Sequence, residues 1–285
     1  MNAFDMLDCR TCPRHCGADR YEGGSGQCHT DHVARVSGFF PHFGEESCLV
    51  GQGGSGTIFF AGCNLNCRFC HSAGISHSDD GTPMSPDVLA TAMIGLQAVG
   101  AANVHLVTPS HVTHQVILAL RIAKTKGLTL PVVYNTSGYD SVKTLKQLEG
   151  LVDIYLPDLK TLDYDRAERW LTARGYPDVA KAAITEMQRQ VGDLVVGENG
   201  LASRGLLVRH LVMPGPVLDA ERVFSWLSRF VSPNTAVSVM SQYRPGHDAD
   251  KNPDLSDINR RTSKEEHAAA VAAANQYGLM VVSAR

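Results

Sequence analysis

The chain has 285 residues, of which 44% are hydrophobic and 19% are charged, and its formal net charge is −3. This composition is typical of a globular protein and excludes a disordered or collagen-like chain. The small net charge, without a Lys/Arg cluster, argues against nucleic acid or a membrane surface as a partner. No apolar run approaches the roughly 18 residues of a membrane span, and no secretory signal is visible, so we expect a cytoplasmic protein.

Residues 1–50 differ in character from the rest of the chain. They are rich in Cys, Gly and His and show little periodicity, which predicts a loop-dominated N-terminal extension that is held by a metal site rather than by a core. Residues 51–285 alternate short apolar runs with amphipathic stretches. We expect this second part to form the core domain and to end in a helix and a strand.

The alternation in residues 51–285 predicts strands separated by helices. Strands are predicted, in chain order, over 57–60, 104–107, 130–134, 154–156, 206–213, 236–240 and 279–282. Helices are predicted after Ser85, from about 111 to 126, and over 141–149, 178–191, 219–230 and 264–277, the last opened by a capping box at Ser263 and Glu266. This order predicts an α/β fold with a partial parallel barrel of the (β/α)6 type, and an open doubly wound sheet is the alternative. In both folds a ligand lies at the carboxyl ends of the strands.

All eight cysteines lie between Cys9 and Cys70, and residues 71–285 contain none. Disulfides usually spread over the fold that they hold together. Thiols crowded at one end of a chain without a signal peptide favour metal ligation in a reducing compartment.

The sharpest motif is Cys63-x3-Cys67-x2-Cys70, directly after the first predicted strand. Three thiolates on one loop favour an iron–sulfur cluster or zinc. A four-iron cluster normally takes four Cys ligands, so three ligands would leave one iron open for chemistry. The alternative is a structural zinc site with His71 as the fourth ligand, although such sites usually pair two close ligands with two distant ones. We therefore predict a [4Fe-4S] cluster at these three residues.

A second set consists of Cys9, Cys12, Cys16 and Cys28. Four protein ligands leave no open coordination position at a metal centre, which predicts a structural or electron-transferring centre. The C-x2-C-x3-C run resembles ferredoxin-like spacing and favours a second [4Fe-4S] cluster over zinc, although both fit. Cys48 is left over, and we expect an ordinary buried or loop thiol.

With Phe69 just before its last Cys, the Cys63–Cys70 motif resembles that of the radical S-adenosylmethionine (SAM) superfamily. More closely, the chain resembles the pyruvate formate-lyase activating enzymes and their relatives with an N-terminal Cys-rich extension. This closer match is carried by segments 54–63, 107–111, 134–139, 153–160, 209–215 and 240–245. The resemblance implies that SAM chelates the open iron through its amino and carboxylate groups. An electron from the reduced cluster then breaks a carbon–sulfur bond, and the 5′-deoxyadenosyl radical takes a hydrogen atom from a substrate.

The candidate SAM contacts are polar or aromatic residues next to the cluster or after the later strands: Phe69, Thr108, Ser110, Asn135, Thr136, Ser137, Asp158, Lys160 and Arg209. Phe69 could stack on the adenine or simply pack in the core. Thr108 and Ser110 stand where the superfamily usually has Gly-Gly-Glu, which orients the SAM amino group. Ser110 could instead be the N-cap of the next helix.

The remaining candidates follow the third, fourth and fifth strands. By resemblance, Asn135, Thr136 and Asp158 occupy positions that can bind a monovalent cation beside the SAM carboxylate, with Asn135 in place of an Asp. Lys160 could neutralise a carboxylate or form a surface pair with Asp158. Arg209 is the best cation for the SAM carboxylate, because a guanidinium can bind it in a bidentate manner.

We expect an enzyme that cleaves SAM and abstracts hydrogen from a substrate that the sequence does not identify. One version is a glycyl-radical activase acting on a protein partner, and the other modifies a peptide or a small molecule. A low-potential electron donor of the flavodoxin or ferredoxin type is the expected partner. The alternatives are a non-catalytic iron–sulfur electron carrier, which would satisfy all its irons with Cys, and a zinc-stabilised binding protein.

Overall fold

Ten strands and ten α-helices make up the fold in the computed structural model, which describes residues 4–283. The strands are β1 (Ala34–His42), β2 (Ser55–Phe60), β3 (Thr82–Met84), β4 (Val104–Val107), β5 (Val132–Thr136), β6 (Ile154–Pro157), β7 (Val195–Val196), β8 (Ala202–Leu211), β9 (Ala236–Met240) and β10 (Met280–Val281). The helices are α1 (Phe4–Leu7), α2 (Ser47–Val50), α3 (Ala73–Ser76), α4 (Pro86–Ala98), α5 (Thr113–Thr125), α6 (Val142–Leu145), α7 (Tyr164–Leu171), α8 (Tyr176–Val191), α9 (Leu218–Phe230) and α10 (Lys264–Gln276). Two 3₁₀ turns span Gly26–Cys28 and Pro253–Ile258.

The sheet is mostly parallel and open. Its strand order is β10-β9-β8-β6-β5-β4-β2-β1-β3, and every pair from β10 to β2 is parallel. β1 and β3 continue the sheet in antiparallel pairing, and β7 pairs antiparallel with β8. The observed α/β architecture is thus compatible with the predicted partial barrel. Because the parallel strands point the same way, the loops after β2, β4, β5, β6 and β8 meet at one edge.

The predicted elements of residues 51–285 are largely confirmed. β4 and β9 have the predicted bounds, and Ser85 caps α4 by accepting a hydrogen bond from the Val88 amide. The capping box that opens α10 is also present. The predicted helix over 141–149 forms only as the single turn of α6, and α7 is an additional helix that was not predicted.

The prediction that residues 1–50 are mainly loop is wrong for residues 34–42. These residues form β1, which pairs with β2 over six positions and carries an irregularity between Val36 and Gly38. Gly38 and Pro41 interrupt the apolar alternation on which a strand prediction relies, and such interruptions are tolerated near the margin of a sheet. The sheet therefore extends into the segment that the sequence assigned to the extension.

Two apolar clusters lie on opposite sides of the parallel strands. The larger cluster packs the helices against the outside of the sheet. The smaller cluster lies on the other face of the sheet, the interior of the compatible partial barrel, and joins Cys48 and Leu49 of α2 to Val133, Ile154 and other strand residues. α2 therefore packs against this face of the sheet. Among the described residues, no helix is long and apolar enough to cross a membrane.

The capping box of α10 gives a direct stability test. The Ser263 side chain accepts a hydrogen bond from the Glu266 amide, and the Glu266 carboxylate accepts one from the Ser263 amide at 2.8 Å. Ser263→Ala is expected to lower the free energy of unfolding by about 1 kcal/mol, because an amide of the first turn loses its acceptor. Urea denaturation measures this change. Ser263→Asp keeps a capping oxygen and should stay close to the wild type; equal losses in both variants would contradict the capping role.

Candidate active site

The loop between β2 and α3 carries Cys63, Cys67 and Cys70. Short backbone hydrogen bonds fold it, including one from the Cys70 amide to the Cys67 carbonyl at 3.1 Å. The Cys63 thiol accepts a hydrogen bond from the Leu65 amide at 3.4 Å. Cys67 is buried, whereas Cys63 and Cys70 are partly exposed. The loop therefore places its three thiols near one another, after the carboxyl end of the first parallel strand.

Burial governs the protonation of two of these thiols, Cys63 and Cys67. Burial raises the pKa of Cys67 to about 12, and burial together with the neighbouring Cys67 thiol raises that of Cys63. Both thiols are thus protonated at neutral pH unless a metal displaces the protons. Across the described residues, no three Cys, His, Asp or Glu side chains converge on one single-ion position.

The donor set fits a four-iron cluster with one iron left for another ligand. Three thiolates on one loop are suitable ligands for three irons. The other five cysteines lie elsewhere, since Cys48 belongs to the core cluster inside the barrel and four line a separate space. His71, the fourth ligand of the zinc alternative, has its Nε2 atom 2.7 Å from the Arg244 carbonyl oxygen.

Asp158 and Lys160, which follow β6, form a largely buried ion pair next to these thiols. Lys160 Nζ lies 2.6 Å from Asp158 Oδ2, and the two side chains are only 13% and 22% exposed. The pair is therefore not the surface pair that the sequence left open. Burial alone would lower the pKa of Lys160, but Asp158 and Cys67 raise it, so the ammonium stays charged. Its positive charge lowers the pKa of Cys67 and thus favours the thiolate.

Phe69 lies in the core next to the cysteine loop. Its side chain is 5% exposed, and its ring packs edge-on against Tyr243 with the centroids 5.8 Å apart. Stacking of Phe69 on an adenine stays a prediction, because the observed contact is ordinary core packing.

Thr108 ends β4 in a strained conformation. Its φ of 56° lies in the left-handed region, which a β-branched residue rarely adopts, and its amide donates a hydrogen bond to the Asn135 carbonyl at 2.8 Å. Such strain costs about 1–3 kcal/mol and is concentrated at functional sites. The strain is consistent with a place for Thr108 in the functional site, and its contact with SAM stays a prediction.

Ser110 and Thr136 belong to a buried hydroxyl network. Their side-chain oxygens lie 3.0 Å apart, and Thr136 donates to Asp140, which also accepts from Tyr134. Burial raises the pKa of Asp140, and the surrounding hydroxyls partly oppose that effect. Ser110 does not cap α5, since the N-cap residue is Val112. Ser110 and Thr136 thus bind each other, and Thr136 also binds Asp140, so a contact of either hydroxyl with SAM stays a prediction.

Ser137 differs from its neighbours because its side-chain oxygen is buried without a hydrogen-bond partner. Its carbonyl and that of Asp158 both accept from the Tyr176 hydroxyl, at 2.9 and 2.8 Å. A Cβ on the adjoining Gly138 would come within 2.5 Å of the Asp158 carbonyl, so the loops after β5 and β6 touch. Ser137 is therefore a hydroxyl that remains available next to the ion pair.

The proposed monovalent cation site is not assembled in this geometry. Asn135 Nδ2 lies 2.9 Å from His105 Nε2, Thr136 is bound to Asp140, and Asp158 is paired with Lys160. Each of the three side chains has a different partner, and a cation shared by them stays a prediction.

Arg209 forms ion pairs with two glutamates, Glu45 and Glu46. Its Nε and Nη2 atoms contact the Glu46 carboxylate at 2.7 and 2.6 Å, and Nη2 also contacts Glu45. The Arg209 side chain is 14% exposed, and those of Glu45 and Glu46 are 8% and 1% exposed. The same fork already binds a carboxylate of the chain, so a bidentate contact of Arg209 with the SAM carboxylate stays a prediction.

Sequence reasoning missed the polar cluster around Arg209. His105 hydrogen-bonds Ser55 at 2.9 Å through Nδ1, and burial lowers its pKa to about 4, so it is neutral. The period-two alternation of β4 places His105 on the same face as Val107 and was a usable signal. The adjacent pair Glu45-Glu46 gave no such signal, since consecutive carboxylates usually lie on the surface.

The second cysteine set lies beside the first. Cys9, Cys12, Cys16 and Cys28 line a single cavity, which Asn64 and His111 also line. Burial, together with the other three thiols, raises the pKa of Cys12 to about 12. The structure thus brings together the four residues that the sequence grouped by spacing.

Comparisons with known proteins agree with this arrangement. The family model described as "Radical SAM superfamily" matches residues 57–199. An uncharacterized protein of Methanocaldococcus jannaschii is 31% identical over 284 residues, which covers 96% of this chain and 76% of the relative. The family match begins within β2, includes all three cysteines of the Cys63–Cys70 loop and extends past β6 with Asp158 and Lys160. Superfamily membership carries with it a [4Fe-4S] cluster and SAM as cofactors. The chain therefore belongs to the radical SAM superfamily.

Proposed function

We propose that this protein is a radical SAM enzyme of the activating type, which takes a hydrogen atom from a protein or peptide substrate. Its main support is the loop of three thiols at the carboxyl end of β2, next to the buried Asp158–Lys160 pair. When bound to Cys63, Cys67 and Cys70, the cluster supplies the electron that cleaves SAM into methionine and a 5′-deoxyadenosyl radical. The residues of the chain hold and orient the cofactors and exclude water.

Lys160 and Ser137 are the residues that we assign to SAM. The Lys160 ammonium, held by Asp158, favours an anionic group beside Cys67. The buried Ser137 hydroxyl lacks a partner and can donate one hydrogen bond. Thr108, directly after β4, lies at the same edge of the sheet with a φ of 56°. Lys160 and Ser137 thus offer one cation and one hydrogen-bond donor for SAM.

The filled interior of the barrel supports a macromolecular substrate. Glu45, Glu46 and Arg209 occupy the inside of the barrel, and α2 packs against the same face of the sheet. We therefore expect the substrate to bind at the carboxyl ends of the strands, which a loop of a partner protein can reach. A backbone glycine of such a partner is the substrate of the activating enzymes that the motifs resemble.

Formation of 5′-deoxyadenosine tests both parts of the proposal. The anaerobically reconstituted, reduced protein is incubated with SAM, and the product is measured by mass spectrometry with and without a cell extract separated by ultrafiltration. We expect product, stimulated by the protein-containing fraction and no longer stimulated after protease treatment. Stimulation by the small-molecule filtrate alone would contradict a macromolecular substrate. An iron-replete protein that leaves SAM intact under all conditions would instead be an electron carrier.

A further inference from the structure

The N-terminal cysteines surround a space that is built by backbone contacts. The Gly17 amide donates to the Cys9 carbonyl and the Cys9 amide to the Ala18 carbonyl, both at 3.1 Å. Gly26 has a φ of 57°, and a Cβ there would lie 2.8 Å from Cys16 Sγ. Cys9, Cys12 and Cys28 are buried and Cys16 is exposed, and all four are free thiols. The loop thus presents four thiols to one cavity, with one edge at the surface.

Arg20 is a buried cation that faces the same cavity. Its side chain is almost fully enclosed, at 1% exposure of the residue. Nε donates to the Thr30 carbonyl at 3.0 Å and Nη1 to the His111 carbonyl at 2.7 Å, whereas Nη2 has no partner. Within residues 4–283, the hydrogen bonds of Arg20 go only to carbonyl oxygens and none to a carboxylate. A buried guanidinium without a counter-charge is costly, so the cavity requires an anion.

Four protonated thiols do not supply that negative charge, but four thiolates around a metal core do. Thiolates outnumber the positive charge of a zinc ion or of an oxidised four-iron core, so either centre is a net anion. The unpartnered Nη2 of Arg20 is then a hydrogen-bond donor to the ligated sulfur, a contact that tunes such centres. The C-x2-C-x3-C spacing favours iron over zinc, because it resembles the ferredoxin-like spacing.

The cavity also adjoins the catalytic cysteine loop. Asn64, the neighbour of Cys63, lines it, and Arg14 binds the Asn64 carbonyl through Nε at 2.9 Å. A Cβ on Gly62 would lie 2.3 Å from the Cys28 carbonyl oxygen, so the two cysteine loops are in direct backbone contact. Electron transfer between centres on these loops therefore crosses very little protein, and the exposed Cys16 provides an approach from solvent.

We propose that Cys9, Cys12, Cys16 and Cys28 hold a second [4Fe-4S] cluster, with Arg20 as its buried counter-charge, through which electrons enter the catalytic cluster. A low-potential one-electron donor reduces the second cluster from the 2+ to the 1+ state. That electron passes to the cluster at Cys63, Cys67 and Cys70, and the second cluster returns to 2+. No bond is formed or broken in this relay. The entry role rests on the proposed function, whereas the presence of the cluster does not.

Metal content tests the site independently of catalysis. A variant with Cys63, Cys67 and Cys70 all replaced by Ala should still bind about four irons and four sulfides per chain after anaerobic reconstitution, and show the paramagnetic signal of a reduced cluster. Zinc in place of iron, or no metal, would overturn the proposal. Failure of the wild type to cleave SAM, with this iron still present, would count against the proposed function alone.

Arg20→Met in that triple-Ala background tests the counter-charge. It should lose iron to a chelator with about 10- to 100-fold lower retention, the usual cost of losing an outer-sphere partner. Arg20→Lys, which keeps the charge, should recover part of the loss. The control is Arg10→Met, since Arg10 is 57% exposed and pairs with Asp8 in the same loop. Equal iron retention in the Arg20→Met and Arg10→Met variants would overturn the role of Arg20.

The relay is tested with Cys12→Ala in the otherwise wild-type chain. Reduction of the catalytic cluster by a flavodoxin, followed by its paramagnetic signal, should be lost, whereas reduction by dithionite should persist because a small reductant reaches that cluster directly. Retention of the signal with both reductants, or its loss with both, would overturn electron entry through the second cluster.

Discussion

Cys67→Ala is expected to reduce the formation of 5′-deoxyadenosine to the level of a control without protein, whereas Cys48→Ala is expected to leave it unchanged. Cys67 is the buried member of the three-thiol loop, and its loss removes one of only three protein ligands. Cys48 is equally buried, but it lies in the apolar cluster inside the barrel, far along the strands from the loop. The two variants therefore make the same chemical change at two different places.

The measurement combines mass spectrometry of the nucleoside with iron analysis of both variants. Cys48→Ala should retain the full iron content, and Cys67→Ala should lose the share bound at the catalytic loop. The assignment would be wrong if Cys67→Ala still produced 5′-deoxyadenosine at the wild-type rate, or if the Cys48 variant lost activity while keeping its iron.

Arg209→Met is expected to lower the free energy of unfolding more than Ser263→Ala does. It leaves the Glu45 and Glu46 carboxylates buried without their cation, and breaking such a pair typically costs about 3–5 kcal/mol. For a chain of this size we expect a fall in Tm of roughly 10 °C. Differential scanning calorimetry of the apoprotein measures it without interference from bound cofactors.

The pH dependence of that loss has a definite sign. Burial alone would raise the pKa of Glu45, but the charge and hydrogen bond of Arg209 help to lower it below its ordinary value. A lowered carboxylate pKa stabilises the wild type above about pH 4.5, and this contribution is lost as the pH falls through the folded-state pKa. In Arg209→Met the buried carboxylates take up protons readily, so the difference from the wild type should shrink in acid.

A compensated variant separates the missing charge from the missing packing. Adding Glu45→Gln and Glu46→Gln to Arg209→Met removes the unpaired carboxylates and should recover most of the lost stability, since neutral replacements of a whole buried network are often tolerated. If the compensated variant is no more stable than Arg209→Met, the loss comes from packing and not from charge.

Local patterns in the sequence predicted the elements that neighbouring residues determine. β4 and β9 are short apolar runs whose bounds follow from their own composition, and α10 begins where Ser263 and Glu266 can bind each other's amides. The spacing of Cys63, Cys67 and Cys70 likewise predicts a shared site, because three thiols within one loop stay close in almost any fold. The family to which the chain belongs could be inferred from these local features.

Only the tertiary structure decided which partner each polar side chain takes. Arg209 lies more than 160 positions along the chain from Glu45 and Glu46, and their pairing depends on the segment between β1 and α2 reaching β8. Arg20 and His111 meet across 91 positions. The sequence does not show whether an arginine pairs with a carboxylate of a cofactor or with a carboxylate of the chain itself.

By itself, then, the sequence determined the order of the main strands and helices of residues 51–285, the two cysteine sets and the edge of the sheet where we expect the chemistry. The structure decided that residues 34–42 join the sheet, that Ser110 and Thr136 bind Asp140, and that the two cysteine loops touch at Gly62 and Cys28. The physical reason is the distance along the chain between interacting residues. Hydrogen bonds and apolar periodicity within one segment depend only on neighbouring residues. Charge pairing and close backbone contact instead depend on distant segments that only the completed fold brings together.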